Sequence, residues 1–522
     1  MRPISQILRF KGQLQAKSAV HVGGLEDVPD TDLSLARDGL GNFVIPGTSL
    51  TGVLRALGDA GDGLQKRLWG REAASGDGGY ASLMTVSEAP ITGPVTPELR
   101  DHVGIDRRTG AAALGIKYDR MVLPMGTRIP LDLRLDVPTA GTATWMGTAP
   151  APGLAEIEDY LVWLIRQLQD GLRIGAAGTR GLGQVALVEV GWSVTRASPA
   201  SRDGILALLR GKPDNITDQI SKRVKALTAR REGLRIDIAW KAKSPVMSKS
   251  PDDGDDAAAD RESGGVKIMP LVTQGIAKGK LRLILPGSGI KGALRSHAER
   301  IERTVFPDLA AVESLRAPVA GRRGFLDQIA AAPLTASLFG STAPRGTEPP
   351  KPGVWEPGRG ALSVLDCLSK SEIDAAEIEA LRRSSDLSKR PNAALDVAYH
   401  VAVDRWTGGA SDRLLFSAVR PDDIEWHDIQ LRIDETRLPP AGMGRDAALA
   451  LLVLLLRDLA AGWITLGMGS TRGYGDIETS KIALSGRLDG LDIEAEIKPD
   501  GLSGAPSLLE RLQQAWTSVV SK

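Results

Sequence analysis

The sequence repeats itself, and this repeat restricts the fold more than any other feature of the chain. An eleven-residue segment beginning at His102 returns at His400, with seven identical positions and a spacing of 298 residues. Three further segments recur in the same order: residues 16–20 and 242–246, residues 45–55 and 285–295, and residues 175–183 and 467–475. Because ordered self-similarity is typical of repeated structural units, the sequence predicts two copies of one domain.

Length and composition agree with this prediction. The 522 residues can hold two large domains, and 25% charged and 42% hydrophobic residues are ordinary for a soluble globular protein. The net charge of +1 conceals an acidic stretch at residues 251–262, which contains six acids and one base. The rest of the chain is therefore mildly basic, which permits a nucleic-acid partner without demanding one.

Several classes of protein are excluded or disfavoured. Cys367 is the single cysteine of the sequence, so a disulfide framework and a cysteine-based zinc site are excluded. The first nine residues lack the apolar segment of a signal peptide. The longest apolar run, residues 447–456, is about half of the roughly 20 residues that a membrane span needs. The sequence therefore predicts a cytoplasmic protein without a membrane partner.

Patterning predicts the same order of elements in each copy. Apolar and charged residues alternate at residues 131–137 and again at 429–433, which is typical of half-buried antiparallel strands. Further strands are predicted at residues 9–22, 184–190, 234–246 and 476–484. Helices are predicted at residues 49–57, 154–172, 289–305 and 445–461, with small polar residues capping those that follow a Pro-Gly pair.

Each copy thus follows the β-α-(β-rich insert)-β-α-β order of the ferredoxin-like split βαβ motif. We predict an α+β protein of two tandem ferredoxin-like domains, each with an inserted β-hairpin. The predicted parts are a first domain at residues 1–195, a charged helical connector at 196–232, a second domain at 233–485 with acidic and Pro/Gly-rich insertions, and a C-terminal tail at 486–522 with an amphipathic helix.

The two Gly-rich loops share the pattern Gly-x-x-x-Thr-Arg-Gly-x-Gly. Glycine permits close approach of the backbone, and arginine offers a charged fork. Such a loop can cradle phosphate through its N–H groups, or it can be a tight turn between helix and strand. No Gly-Lys-Ser/Thr follows, which disfavours a Walker-type nucleotide site. The candidate phosphate-binding residues are Gly178, Thr179, Arg180, Gly181, Thr471, Arg472 and Gly473.

The helix that follows each Pro-Gly pair is a second candidate phosphate site. A helix N-terminus presents free N–H groups and the positive end of the helix dipole. The alternative is a plain helix start with solvated arginines. The candidate residues are Ser49, Arg55, Ser288, Lys291 and Arg295.

The most specific repeat is His-Val-x-x-Asp-Arg-x-Thr-Gly, which predicts a strand that leads into a turn. Basic residues beside an aromatic residue can hold backbone phosphate and wedge a base, although an ordinary surface hairpin has the same pattern. The candidate residues are His102, Arg107, Thr109, His400, Arg405 and Trp406.

Catalytic patterns are scarce. The sequence has five histidines and lacks the Gly-x-Ser-x-Gly and His-Glu-x-x-His motifs. An acidic group near the N-terminus can serve a divalent metal, but acid-rich loops are usually solvated. Its members are Glu26, Asp27, Asp30, Asp32 and Asp38.

Taken in order, these motifs resemble the RAMP superfamily of CRISPR-associated proteins, and more narrowly the backbone (palm–thumb) subunit of type III effector complexes. The matching segments are residues 21–24, the acidic loop, residues 32–38, residues 45–55, the hairpin motif at 105–110 and the Gly-rich loop at 175–183. The resemblance covers most of residues 8–190 and, more loosely, 233–485. The chain looks like a fusion of two such subunits, as in type III-D-like systems.

The resemblance implies an RRM-like palm with a thumb hairpin that displaces a nucleotide of the guide–target duplex. It implies three partners: CRISPR guide RNA, target RNA and other type III effector subunits. It also implies cleavage of target RNA that depends on Mg²⁺ or another divalent metal, with an essential aspartate that falls on Asp32, the possible metal ligand. The remaining candidate RNA-binding residues are Lys17, His21, Gly23, Gly24 and Lys243.

The second copy departs from this pattern. Aligning Gly275 with Gly39 places Ile268 at the position of Asp32, and the His-x-Gly-Gly segment is missing. We therefore expect the second copy to bind RNA without cutting it. In the alternative, the inserted loop brings Asp260 back to the position of Asp32. The acids of the insertion are Asp255, Asp256 and Asp260.

Three hypotheses of function follow. In the first, the chain is a guide-RNA-binding backbone subunit with endoribonuclease activity at its first copy. In the second, it is a scaffold that binds RNA and cuts nothing. In the third, it is a guide-processing endoribonuclease that uses His21 or His102. A nucleotide-binding enzyme is disfavoured because the Walker lysine is missing.

Overall fold

The structure, a computed structural model, describes most of the chain and divides it into two compact units. The described residues are 3–24, 31–58, 64–70, 79–139, 151–228, 233–251, 265–311, 315, 321–341, 358–383 and 394–521. The first unit comprises Met1–Pro97, Met121–Gly178 and Gly183–Arg230. The second comprises Glu98–Arg120, Thr179–Leu182 and Arg231–Lys522.

The strands in the first 230 residues are β1 (Ile4–Ala16), β2 (Val44–Ile45), β3 (Met84–Val86), β4 (Ala89–Pro90), β5 (Glu98–Ile105), β6 (Ala112–Val122), β7 (Arg128–Pro138), β8 (Leu172–Arg173), β9 (Gln184–Leu187), β10 (Ser193–Ala197) and β11 (Asp214–Asn215). The later strands are β12 (Arg235–Ala242), β13 (Gly265–Ile268), β14 (Val272–Gln274), β15 (Lys280–Leu285), β16 (Leu362–Val364), β17 (Cys367–Leu368), β18 (Ile373–Asp374), β19 (Leu395–Val403), β20 (Ala410–Pro421), β21 (Ile429–Ile433), β22 (Ile477–Leu488), β23 (Leu491–Lys498) and β24 (Gly501–Ser503).

The α-helices are α1 (Gly47–Arg55), α2 (Leu64–Trp69), α3 (Leu154–Asp170), α4 (Arg202–Leu209), α5 (Thr217–Ala226), α6 (Gly287–Val305), α7 (Gly321–Ala330), α8 (Pro333–Phe339), α9 (Ala375–Arg383), α10 (Met443–Ala460) and α11 (Pro506–Val520). Short 3₁₀ helices lie at Gly178–Arg180, Pro307–Ala311, Glu435–Arg437 and Ser470–Arg472.

The two units contain antiparallel sheets with the same strand order at their centre. In the first unit the order is β9-β1-β7-β3, and β10 and β11 extend the sheet beside β1. In the second unit the order is β22-β12-β21-β16, and β23 and β24 extend it beyond β22. In each case the central strand is followed along the chain by a helix and then by an outer strand. A third strand lies between the central and the outer strand in the sheet. This is the split βαβ arrangement.

The register of pairing is also the same in the two sheets. Phe10 faces Leu133 across β1 and β7, and the repeat-equivalent residues Ile236 and Leu431 face each other across β12 and β21. On the other side of the central strand, Ala16 pairs with Val185, and the equivalent pair is again in register. Since a slip of one residue would exchange the buried and exposed faces of a strand, the alternating pattern fixes this register.

Apolar side chains from one face of each sheet and from two helices form each core. In the first unit, Phe10 and Leu133 are fully buried together with Leu54 of α1 and Tyr160 of α3. In the second unit, Ile236 and Leu431 are fully buried with Leu294 of α6 and Leu451 of α10. Each repeat thus places its two main helices in the core that covers the sheet, as expected for an α+β layer structure.

Two β-hairpins contain the His-Val-x-x-Asp-Arg repeats. β5 and β6 form the first, and β19 and β20 form the second, which β13 joins through parallel pairing with β20. The first hairpin lies in the second compact unit although its sequence belongs to the first repeat. The boundaries at residues 195, 232 and 485 therefore remain predictions from sequence.

The prediction of a mixed α/β fold with antiparallel sheets of ferredoxin-like order is confirmed, with corrections in detail. β1 ends at Ala16 rather than near residue 22, because the N–H groups of Lys17 and Ser18 both donate to the Gln184 carbonyl and interrupt the ladder. Neither Pro-Gly helix is capped by the side chain of its own N-cap residue, since that residue is proline. The tail contains β23 and β24 as well as the expected helix. None of the helices in the described residues is long and apolar enough to cross a membrane.

The central pairing makes a stability prediction. Leu133→Ala and Leu431→Ala should each lower the free energy of unfolding by about 2–5 kcal/mol, because each removes a fully buried side chain from the core. Chemical denaturation followed by circular dichroism measures this loss. Lys11→Ala and Lys241→Ala, on exposed positions of β1 and β12, are the controls and should change stability by less than about 0.5 kcal/mol. Equal effects of core and control variants would contradict the assigned sheet faces.

Candidate functional site

At the base of the first hairpin, three side chains of the second unit form what we call the first cluster: His102, Tyr118 and Arg180. The rings of His102 on β5 and Tyr118 on β6 stack with centroids 4.9 Å apart and an interplanar angle of 20°. Nη1 of Arg180, in the Gly-rich loop, donates a hydrogen bond of 3.0 Å to the Tyr118 hydroxyl. Two separately predicted motifs, the hairpin and the loop, therefore meet at one aromatic ring.

The second hairpin carries an equivalent second cluster, formed by His400, Phe416, Arg472 and Tyr474. His400 stacks on Phe416 with centroids 4.9 Å apart and an angle of 19°. The Arg472 guanidinium carbon lies 5.8 Å from the centre of the Phe416 ring, within the range of a cation–π contact. The Tyr474 hydroxyl lies 3.4 Å from Nε2 of His400. Both repeats thus combine a stacked histidine, an aromatic residue and a loop arginine.

Sequence reasoning missed the aromatic members of the clusters. Tyr118 and Phe416 lie 298 residues apart, the spacing of the repeated hairpin motif, but beyond the segment in which identical residues recur. The sequence did contain one indication, because an aromatic residue stands at the equivalent position of each hairpin. Pairing the two strands of a hairpin would have placed this residue opposite the histidine, as Phe416 lies opposite His400.

The hairpin tips are built by their aspartates and threonines. Oδ1 of Asp404 accepts hydrogen bonds from the N–H groups of Trp406 and Thr407, and Asp106 does the same at the first tip. The bonds from Thr407 and Trp406 lower the pKa of Asp404. Thr109, a predicted RNA-binding residue, uses its hydroxyl in this turn, at 3.1 Å from the Asp106 carboxylate.

The two tips differ in their surroundings. Arg107 donates to Glu299 at 2.7 Å, in an ion pair whose carboxylate is fully buried. Arg405, its equivalent, is exposed, and Trp406 beside it is 96% exposed. Of the predicted arginines of the hairpins, Arg405 is therefore the one open to a ligand, while Arg107 holds the first hairpin within the second unit.

The base of the first hairpin is held by a further ion pair. Arg100, which is 3% exposed, donates to Asp366 at 2.7 Å. The other carboxylate oxygen of Asp366 accepts the N–H of Gly287 at the start of α6, 2.8 Å away. In the second repeat, the N-terminus of the Pro-Gly helix therefore already has a carboxylate bound at the place where a phosphate was predicted.

The other predicted residues of the Pro-Gly helices are distributed between surface and interior. Ser49 and Ser288 are half-buried, and Arg55 is exposed. Lys291 is buried and donates to the Leu362 carbonyl at 2.7 Å. Arg295 donates to Glu299 at 2.8 Å and to the Gly340 carbonyl at 2.9 Å. Lys291 and Arg295 therefore have structural partners in the second unit.

The predicted residues near the acidic loop also differ in their exposure to solvent. His21 is buried, and its Nδ1 lies 2.7 Å from the Met121 carbonyl, which as an acceptor requires the proton on Nδ1. Gly23, Gly24 and Asp32 are exposed. Lys17 and Lys243 are exposed at the ends of the two central strands. A buried, bonded His21 does not favour the histidine-based processing hypothesis.

The described carboxylates of this loop do not by themselves fit a resident divalent ion. Among the described residues, no group of three or more His, Cys, Asp or Glu side chains is arranged to hold a metal. Asp38 accepts the N–H groups of Leu40 and Asn42, so it is engaged in its own turn. Glu26, Asp27 and Asp30 lie outside the described residues, as do the insertion acids Asp255, Asp256 and Asp260.

In the second repeat, Ile268 lies at the end of β13, where it pairs with Ala418 of the hairpin strand β20. The position aligned with Asp32 is thus part of a strand and carries an apolar side chain. Its backbone is engaged in the sheet, whereas Asp32 lies outside the extended strands.

The comparison with protein families decides the affiliation of the chain. The model of the RAMP superfamily matches residues 13–186 and 273–478, one region in each repeat and together well over half of the sequence. The chain belongs to the RAMP superfamily. This membership supports a CRISPR-associated, RNA-binding role, since RAMP proteins bind CRISPR RNA and act in multi-subunit complexes. The search among curated proteins found no match.

For this RAMP protein, the Gly-rich loops make a paired prediction. Gly181 has φ of +99°, and an added Cβ would overlap the Asp366 carboxylate, which is held by Arg100 and Gly287. Gly473, its equivalent, has φ of +80° and open space around it. Gly181→Ala should therefore cost about 3 kcal/mol or more, and Gly473→Ala about 1 kcal/mol.

Chemical denaturation of both variants measures these losses, and each serves as the control for the other because both residues lie in the second unit. Equal losses of stability would contradict the tight packing of the first Gly-rich loop against Asp366.

Proposed function

We propose that this RAMP protein is a CRISPR RNA-binding backbone subunit of a type III effector complex, formed by tandem fusion of two such subunits in a type III-D-like arrangement. The observation that carries this proposal is the duplicated cluster at the hairpin base. A stacked histidine, an aromatic residue and a loop arginine recur in both repeats. The family matches in both repeats and the common strand order support the same reading.

In this proposal each ferredoxin-like sheet is an RRM-like palm and each hairpin is its thumb. The first domain spans residues 1–195 and the second 233–485, with the connector at 196–232 and the tail at 486–522. The partners are CRISPR guide RNA, target RNA and other type III effector subunits, and the place of action is the cytoplasm.

The clusters have the chemistry that single-stranded RNA needs. An arginine fork binds backbone phosphate, and aromatic rings offer a face on which bases stack. Exposed Trp406 and Arg405 extend this surface to the tip of the second hairpin. Contacts to backbone phosphate and to base faces are tolerant of sequence, so binding through them should depend little on RNA sequence, as a guide-binding scaffold requires.

The double variant Arg180→Gln/Arg472→Gln should weaken guide RNA binding by the full chain on the order of tenfold or more. It removes two arginines that are proposed to bind phosphate, so the slope of log K against log salt should fall by about 0.7 for each phosphate that is no longer neutralised. Fluorescence anisotropy over a range of salt concentrations measures both quantities.

The matched control is Arg134→Gln/Arg437→Gln. It removes the same charge from two arginines outside the clusters that are ion-paired to neighbouring aspartates. If the control weakens binding as much as the double variant of the clusters, the RNA site has been assigned to the wrong residues.

A second part of the proposal concerns catalysis at the first repeat. We assign Asp32 as the catalytic residue for cleavage of target RNA, supported by its exposure after the His-x-Gly-Gly segment and by the apolar Ile268 at the aligned position. Cleavage would use the 2′-OH as in-line nucleophile, and a carboxylate beside it can accept its proton. The dependence on Mg²⁺ or another divalent metal remains a prediction from the resemblance.

In the complex assembled with guide RNA, Asp32→Asn should reduce target RNA cleavage at least 100-fold and leave guide binding unchanged. Asp38→Asn is the control, because it removes a charge from the same region while asparagine can keep the turn. Addition of EDTA to the wild-type complex tests the metal dependence. A wild-type complex that binds target RNA but never cuts it would favour the non-catalytic scaffold.

A further inference from the structure

Arg120, at the base of the first hairpin, is a buried arginine that lacks the partners such a residue normally has. It is 5% exposed on β6, and its guanidinium carbon lies 5.9 Å from the centre of the Tyr118 ring. Within the described part of the chain, neither its Nε nor its Nη1 has a hydrogen-bond partner. Buried arginines are almost always paired, because desolvating a charge without compensation is costly.

The groups around Arg120 favour an anion. Burial is the main influence that lowers the pKa of Arg120, and the positive charge of Arg180 lowers it further, whereas Tyr118 raises it. The guanidinium stays protonated all the same, because arginine does not lose its proton in proteins. Two guanidinium groups thus lie beside the same tyrosine ring, and within the described residues the groups that act on the charge of Arg120 include no carboxylate.

Among the described residues, this arrangement occurs in the first repeat and not in the second. The position equivalent to Arg120 is Ala418, which is 2% exposed. The partner of Arg472 is the ring of Phe416, which has no hydroxyl group to hold the loop arginine. The two clusters share a stacked histidine, but only the first, among the described residues, combines a buried unpaired arginine with the loop arginine.

We propose that Arg120 and Arg180 together bind one phosphate of the RNA backbone at the base of the first hairpin. This inference rests on the proposed function and adds a residue and a ligand group to it. A phosphodiester supplies the acceptor oxygens that Nε and Nη1 lack, and it matches the planar fork of arginine. Since these atoms are shielded from solvent, the Arg120 side chain has to move for a phosphate to reach them.

The test uses the full chain, a guide RNA oligonucleotide, and Arg120→Met, which removes the charge and keeps the volume. RNA binding should weaken on the order of tenfold, and the salt slope should fall by about 0.7. Arg120→Lys, which keeps the charge and loses the fork, should weaken binding less and leave the slope unchanged. Arg134→Met, at an exposed ion-paired arginine, is the matched control and should behave as wild type.

Thermal unfolding without RNA supplies a second readout and a check of folding. Arg120→Met should melt at a temperature equal to or above that of wild type, because it removes an unpaired buried charge. Inorganic phosphate should raise the melting temperature of wild type but not of Arg120→Met. If only the response to inorganic phosphate depends on Arg120, the site binds free phosphate, and the assignment to the RNA backbone is overturned.

The outcomes separate this inference from the proposed function. If wild type binds guide RNA and Arg120→Met binds with the same affinity and salt slope, the inference fails and the function stands. If Arg134→Met weakens binding equally, the effect is one of net charge and the inference also fails. If wild type does not bind guide RNA, the proposed function fails and takes the inference with it.

Discussion

The central strand of each repeat is hydrogen-bonded on both sides, and the arrangement of the rest of the repeat depends on this strand. At its end, the Ser18 hydroxyl accepts the N–H of Gln184, and the Ser244 hydroxyl accepts that of Asp476, at 3.0 and 2.9 Å. These bonds fix the strand that follows each Gly-rich loop. Because β-strand side chains alternate between faces, this register also decides which residues enter the core. The repeats have diverged in sequence, but they keep the same register.

Burial of charge distinguishes the hairpins more than their sequences do. Glu299 is fully buried and lies within ion-pair distance of Arg107, Arg295 and Arg303. Such a group is costly to desolvate and strongly destabilising to break, so it gives specificity of position rather than much net stability. The same motif is therefore a docked, ion-paired tip in one hairpin and an open tip with an exposed tryptophan in the other.

Much of the fold could be predicted because it depends on local patterns that occur twice. The alternation at residues 131–137 and 429–433 specified the strands, and the Pro-Gly pairs placed the helix starts within about two residues. The surroundings of Arg107 could not be predicted. Its partner Glu299 and the helix α7 belong to the second copy, and whether a charge is solvated or buried is decided by contacts distant in sequence. The burial of Arg120 could not be predicted for the same reason, because no pattern in the neighbouring sequence indicates it.

The membership of the first hairpin in the second compact unit has a consequence for how such a chain could have evolved. Two separate proteins can fuse without loss when each keeps its own contacts. Here Arg100 and Arg107, encoded in the first repeat, are neutralised by Asp366 and Glu299, encoded in the second. Division of the gene in the connector would separate Arg100 from Asp366 and Arg107 from Glu299. The two repeats are therefore difficult to separate, because they share buried ion pairs that neither repeat can form alone.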